Sequence, residues 1–115
     1  MKPKAYVVVL EGDMQFRELL QRWLGEAGYL MEPRAVGSGR PALVVADVPD
    51  PESAELQIRS LQQEYAAPIL LLSARFRRGL AGSAEAARRL GVQKVLPKPF
   101  TRKELLAAVR ESVEA

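Results

Sequence analysis

The stretch Ala42-Leu43-Val44-Val45-Ala46-Asp47 decides the fold of this chain. Five apolar residues in succession are typical of a strand that is buried on both faces of a parallel sheet. Three further apolar runs each end at a polar residue: Tyr6–Leu10 before Glu11, Ile69–Leu72 before Ser73, and Val95–Pro97 before Lys98. Helix-like or loop sequence separates the runs, which indicates a parallel sheet with helical connections.

The polar residues that follow these runs are Glu11, Asp47, Ser73 and Lys98. Ligands of open parallel sheets bind at the carboxyl ends of the strands, so we expect the four side chains to meet at one edge. Two carboxylates, a hydroxyl and an ammonium around one hollow favour a phosphoryl-accepting pocket. The simpler alternatives are that Asp47 opens a turn, Ser73 bonds to backbone and Lys98 is solvated.

Length and composition limit the class of protein. The 115 residues, 48% of them apolar and 27% charged, predict one globular domain over residues 1–115. No apolar run is long enough to span a bilayer, and no signal-peptide pattern opens the chain. We therefore expect a cytoplasmic protein without membrane contact.

Cysteine and histidine are both absent from the sequence. This excludes disulfides, thiolate chemistry, Cys/His zinc sites and catalytic schemes that need an imidazole, and we do not expect an enzyme. A bound metal would be a hard cation held by oxygen atoms. The formal net charge of +3 permits nucleic-acid binding without requiring it.

Four helices are predicted between and after the strands. Asp13 is a candidate cap for a helix that ends at about Ala27, with Phe16 and Trp23 in the core. The other three are predicted over residues 52–65, over residues 84–90 after a cap at Ser83, and from Thr101, where Thr-Arg-Lys-Glu is a capping box.

Residues 29–41 connect the first predicted helix to the second long strand. Tyr29–Met31 is a candidate edge strand, but the prolines and glycines between Pro33 and Pro41 exclude a regular helix. About eight extended residues at ~3.3 Å each span roughly 26 Å, enough for a crossover without a helix. We expect a helix to be missing here, and not a strand.

Taken in order, these motifs resemble the receiver domains of two-component response regulators. The matching pieces are Glu11 followed by Arg17–Leu20, Val44–Asp47 with Pro51 four residues later, the run from Pro68 to Ser73-Ala74, and Lys98-Pro99-Phe100. The likeness runs from about Ala5 to Val113. It implies an α/β, flavodoxin-like, doubly wound sheet of five parallel strands in the order 2-1-3-4-5, with the second helix missing or reduced to a loop.

The resemblance also implies roles for single residues. Asp47 matches the aspartate that accepts a phosphoryl group from a histidine kinase, a phosphotransfer protein or a small phospho-donor. Ser73 and Lys98 match the residues that contact this group, and the peptide bond before Pro99 matches one that is usually cis. Glu11 and Asp47 match ligands of a magnesium ion.

Two departures from the family pattern leave alternatives open. Gly12 stands where the family has a second acidic residue, so magnesium binding is expected to be weak or absent. A stand-alone domain that is phosphorylated on Asp47 and signals through protein contacts is weighed against a pseudo-receiver that docks or oligomerises unphosphorylated. The second departure is the shortened segment before Ala42, whose uncovered sheet surface predicts a homodimer or a docked protein.

A group of arginines surrounds the third predicted helix. It comprises Arg75, Arg77, Arg78, Arg88 and Arg89. A solvated surface is the ordinary interpretation, and an acidic downstream partner protein is the sharper hypothesis. Nucleic-acid binding ranks last, because no recognition motif or aromatic stacking platform accompanies the arginines.

Overall fold

The computed structural model describes residues 5–31, 41–48, 55–73 and 82–114. Within these ranges, four strands alternate with four helices. The strands are β1 (Val7–Leu10), β2 (Leu43–Asp47), β3 (Ile69–Ser73) and β4 (Lys94–Pro97). The helices are α1 (Met14–Glu26), α2 (Glu55–Tyr65), α3 (Gly82–Leu90) and α4 (Arg102–Glu114). None of these helices is long and apolar enough to cross a bilayer.

All four strands pair in parallel, in the order β1-β2-β3-β4. The register sets Leu10 opposite Ala46, Asp47 opposite Leu72, and Ser73 opposite Pro97. Each strand therefore ends within a residue or two of its neighbour, and the residues that follow the strands share one edge of the sheet.

The predicted fifth strand is represented among the described residues by a single bridge. Leu30 donates its backbone N–H to the carbonyl of Ala5 (3.0 Å) and accepts from the N–H of Val7 (2.9 Å). It lies on the side of β1 opposite β2, because the carbonyl of Tyr6 accepts from Ala42 on that other side. The described part of the chain thus has four strands instead of five, and Leu30 holds the edge position of the predicted order.

The segment expected to lack a helix, residues 32–40, lies outside the described residues. The same holds for residues 52–54 of the second predicted helix. The homodimer or docking surface that depends on the shortened segment therefore stays a prediction.

Helices pack on both faces of the sheet. Leu20 and Leu24 of α1, with Leu105 and Val109 of α4, cover one face in a single core cluster. On the other face, Ile58 of α2 and Ala87 of α3 belong to a second cluster. Alternate strand residues supply the two clusters, as expected for strands buried on both sides. The fold is a three-layer α/β arrangement, and the prediction of a doubly wound sheet is confirmed for the described residues.

Two of the three predicted helix caps are confirmed. The Asp13 carboxylate accepts the backbone N–H of Phe16 (3.0 Å) and begins α1. At the start of α4, the N–H of Glu104 donates to the Thr101 hydroxyl (3.1 Å) and the N–H of Thr101 to the Glu104 carboxylate (2.8 Å), which is a complete capping box. The predicted cap at Ser83 is wrong, because α3 already includes Gly82.

Candidate functional site

Three of the four predicted site residues converge at the carboxyl edge of the sheet. Glu11 follows β1, Asp47 ends β2, and Lys98 follows β4. The Lys98 ammonium nitrogen lies 2.6 Å from Asp47 Oδ1 and 3.2 Å from Glu11 Oε2. One cation therefore bridges two carboxylates that are 36 residues apart in the sequence.

The backbone after β4 fixes the start of the Lys98 side chain. The Lys98 N–H donates to the carbonyl of Ser73 (2.9 Å), which extends the pairing of β3 with β4 by one more bond. The peptide bond between Lys98 and Pro99 is cis, the geometry expected at Pro99. Ser73, the last residue of β3, is fully buried at this edge, between the strands that carry Asp47 and Lys98.

Both carboxylate oxygens of Glu11 are in use. Oε2 accepts from Lys98, and Oε1 accepts the backbone N–H of Asp13 at 3.1 Å. The side chain is only 5% exposed. A buried carboxylate needs such partners, because burial without them is costly. Glu11 thus ties the loop that enters α1 to the lysine from the far end of the sheet.

The two carboxylates keep Lys98 charged. Partial burial acts to lower its pKa, but hydrogen bonds to Asp47 and Glu11 and their negative charges outweigh burial, and the pKa is raised above the usual 10.5. Because the pKa of Lys98 is raised, the pairing stabilises the folded protein fully at pH values below the ordinary pKa of lysine. The contribution is lost as pH rises through the raised value.

Phe16 is the site residue that the sequence analysis missed, since it was assigned to the core alone. Its ring does pack against the core cluster of α1 and α4. The same ring lies under Lys98, with the ammonium nitrogen 4.6 Å from its centroid, and meets Phe100 at a centroid distance of 5.8 Å. A phenylalanine three residues after a cap at the sheet edge is the sequence signal that could have found it.

The donors available for magnesium are the oxygens of Glu11 and Asp47. Proteins usually hold magnesium by one or two carboxylates, with water molecules as the other ligands. Glu11 and Asp47 therefore form a small ligand set that fits the ion. Gly12 adds no ligand, and its position is exposed with open space around it. The described ranges contain no group of three acidic, histidine or cysteine side chains suited to a metal.

The predicted partner surface is only partly within the described residues. Arg88 and Arg89 lie exposed in the last turn of α3. Arg75, Arg77 and Arg78 fall in the undescribed segment between β3 and α3.

Curated relatives align with most of this chain. Response regulator MprA of Mycolicibacterium vanbaalenii is 35% identical over 116 residues, covering 90% of this chain and 48% of its own. Protein PetR of Rhodobacter capsulatus is 33% identical over 118 residues, covering 90% and 46%. The transcriptional regulatory protein GltR of Pseudomonas aeruginosa is 32% identical over 122 residues, covering 90% and 47%. The chain spans about half the length of these relatives. No family model matches it.

Solved receiver domains share the fold. The receiver domain of the Francisella response regulator 1452 superposes with a TM-score of 0.71 at 19% identity, covering 96% of this chain and 98% of its own. The receiver domain of the Pseudomonas aeruginosa sensor histidine kinase PA1611, solved with a magnesium ion in its active-site cleft, gives 0.63 at 22% identity and covers 97% and 99%.

The fold and these relatives define the class. The chain is a receiver domain of two-component signalling with a flavodoxin-like fold.

Proposed function

We propose that Asp47 accepts a phosphoryl group from a histidine kinase or phosphotransfer protein, and that the modified domain signals through contacts with a downstream protein. The observation that carries the proposal is the 2.6 Å contact between the Lys98 ammonium and Asp47 Oδ1 at the carboxyl edge of the sheet. The similarity of the chain to response regulators also supports a role in two-component signalling.

Asp47 has the properties of a nucleophile in this setting. Its side chain is 18% exposed, so a phospho-donor can reach it, while the residues that precede it in β2 are buried. A carboxylate is ionised at neutral pH and needs no general base. In the proposed step a carboxylate oxygen bonds to phosphorus as the bond from phosphorus to the donor breaks, and that bonding pair leaves with the donor.

Charge at the site decides how well the phosphoryl group is held. Glu11, Asp47 and Lys98 together carry one net negative charge, and a phosphoryl group adds more. The Lys98 ammonium already contacts the acceptor carboxylate, so it is in position to neutralise part of the added charge. The buried Ser73 hydroxyl at the end of β3 is the proposed hydrogen-bond donor to a phosphoryl oxygen.

Magnesium, when bound, would supply the remaining positive charge. Glu11 and Asp47 are the residues that would hold it. The affinity is expected to be weak, because Gly12 contributes no carboxylate and both Glu11 oxygens already have partners.

One observation favours a second candidate function. Lys98 spans both carboxylates, so the site is neutralised in part without any bound ion. A pseudo-receiver could keep this arrangement as a structural ion pair and act by docking or oligomerisation without phosphorylation.

Intact-mass measurement after incubation with acetyl phosphate and magnesium chloride separates the two functions. The proposal predicts a mass gain of one phosphoryl group in the unmodified protein and none in Asp47→Asn. Asp13→Asn is the matched control, because it removes a neighbouring carboxylate while asparagine still caps α1. This control is expected to be phosphorylated normally.

Absence of any adduct in the folded, unmodified protein would overturn the proposal and support the pseudo-receiver. An adduct that persists in Asp47→Asn would place the modification elsewhere and would also contradict it.

A further inference from the structure

The Lys98 ammonium is enclosed on three sides by groups from different parts of the chain. Asp47 and Glu11 accept hydrogen bonds from it at 2.6 and 3.2 Å. The third side is the face of the Phe16 ring, 4.6 Å from nitrogen to centroid. Attraction between an ammonium and an aromatic face extends to about 6 Å, so this distance lies within the effective range.

From this geometry we infer that Phe16 is a positioning residue for Lys98. The inference rests on the proposed function, since it assigns Phe16 the task of holding the lysine that contacts the phosphoryl group. The ring face stabilises the ammonium in the place between Glu11 and Asp47. A lysine side chain has four rotatable bonds and loses much conformational freedom when its end is fixed, so the ring face, a third contact beside the two carboxylate acceptors, helps to offset this loss.

Two contacts, one at the start of α1 and one from the segment after β4, place the Phe16 ring beside Lys98. The Asp13 cap begins the helix at the carboxyl edge, and its carboxylate bonds to the N–H of Phe16 itself. The ring of Phe100, two residues after Lys98, packs against the Phe16 ring with the two centroids 5.8 Å apart and an angle of 43° between the ring planes. The cap therefore fixes the backbone that carries the ring, and Phe100 contacts the ring from the segment that carries Lys98.

The competing interpretation is that Phe16 only fills the core. It predicts that any apolar side chain of similar volume serves equally well. The positioning role requires the electron-rich face of the ring, which a leucine lacks and which fluorination weakens with little change of shape. The two interpretations therefore differ in their response to ring electronics.

The first measurement concerns Lys98 in the protein without ligand. In NMR spectra of protein labelled in lysine side chains, the ε-methylene protons of Lys98 should be shifted upfield by the Phe16 ring. The shift should disappear in Phe16→Leu and persist in Trp23→Leu. Trp23 is the matched control, because it packs against the same core cluster from the same helix but lies seven residues, or about 10 Å, further along it.

The second measurement is the affinity for beryllium trifluoride, an analogue of the phosphoryl group, in the presence of magnesium. Phe16→Leu should weaken binding about three- to tenfold, whereas Phe16→Tyr should stay near the unmodified value. Phenylalanine carrying one, two or three ring fluorines, incorporated only at position 16, should weaken binding progressively.

Equal behaviour of Phe16→Leu and Trp23→Leu in both measurements would overturn the inference, and so would a fluorinated series with no trend. The proposed function fails separately: if the unmodified protein binds no beryllium trifluoride, phosphoryl acceptance is contradicted, while the Lys98 proton shift still decides the role of Phe16.

Discussion

Lys98 links parts of the chain that are otherwise distant, and its surroundings explain why its ion pairs matter more than surface pairs. The side chain is 23% exposed, against 40% and 57% for the Lys94–Glu111 pair on the outer surface. Exposed pairs contribute about 0–1 kcal/mol, because water and salt screen them. Around Lys98 the screening is weaker, and the loss of either partner leaves a partly buried charge behind.

The positions of Glu11, Asp47 and Lys98 could be predicted from the sequence, because parallel strands deliver the residues that follow them to one edge. The contacts among them could not. Glu11 accepts from the Asp13 N–H with one carboxylate oxygen and from Lys98 with the other. This arrangement depends on the conformation of one loop and one side chain. The second role of Phe16 was hidden for the same reason, since a core position and a position beneath an ammonium have the same helical spacing.

Gly12 offers a direct test of the magnesium site. A β-carbon added at this position would meet no heavy atom within 4 Å, so Gly12→Asp can be accommodated. The new carboxylate would add one charge-assisted ligand, and we expect magnesium to bind about ten- to a hundredfold more tightly, as measured by isothermal titration calorimetry.

The control for this substitution is Gly25→Asp, which adds the same charge at another open position, in the last turn of α1. It should leave the magnesium affinity unchanged. Equal affinities in Gly12→Asp and the unmodified protein would contradict the prediction, because they would show that a carboxylate at position 12 does not act as a magnesium ligand.

At the scale of helices, the sequence predicted helix starts reliably where a side chain bonds to a backbone N–H group three residues away. Asp13 and the Thr101–Glu104 pair act over three residues, so the sequence contains all that is needed to predict them. Ser83 carries the same type of signal, yet α3 begins earlier. Serine in the first turns of a helix and serine at the cap are alike in sequence, and the surrounding chain decides between them.

Helix α4 contains one buried polar atom that costs stability. The Ser112 hydroxyl is inaccessible and has no hydrogen-bond partner within the described part of the chain. Ser112→Ala should therefore raise the free energy of unfolding, measured by urea denaturation with the fluorescence of Trp23. Ser60→Ala in α2 is the control, because Ser60 is exposed and reports the helix propensity of alanine alone.

We expect the gain from Ser112→Ala to exceed the gain from Ser60→Ala by about 1 kcal/mol. A loss of stability in Ser112→Ala would mean that the hydroxyl has a partner, and equal gains would mean that its burial is without cost.

At the scale of the whole molecule, the sequence predicted the layers correctly because each strand is a continuous apolar run. Both faces of such a strand need covering, and helices on both sides supply the cover. The edge strand was harder to predict. Among the described residues, Leu30 alone pairs with the outer side of β1. A strand at the edge of a sheet gains hydrogen bonds from one neighbour instead of two, so its apolar pattern is a weaker signal in the sequence.

The central claim is that Glu11, Asp47 and Lys98, delivered by the ends of three strands, form one site that accepts a phosphoryl group. Amide NMR spectra recorded during titration with beryllium trifluoride and magnesium test it directly. The largest changes should fall at residues 11–13, 47–48, 73, 98 and 100, and they should vanish in Asp47→Asn. Changes centred on α2 or α3, or no change at all in the unmodified protein, would contradict the claim.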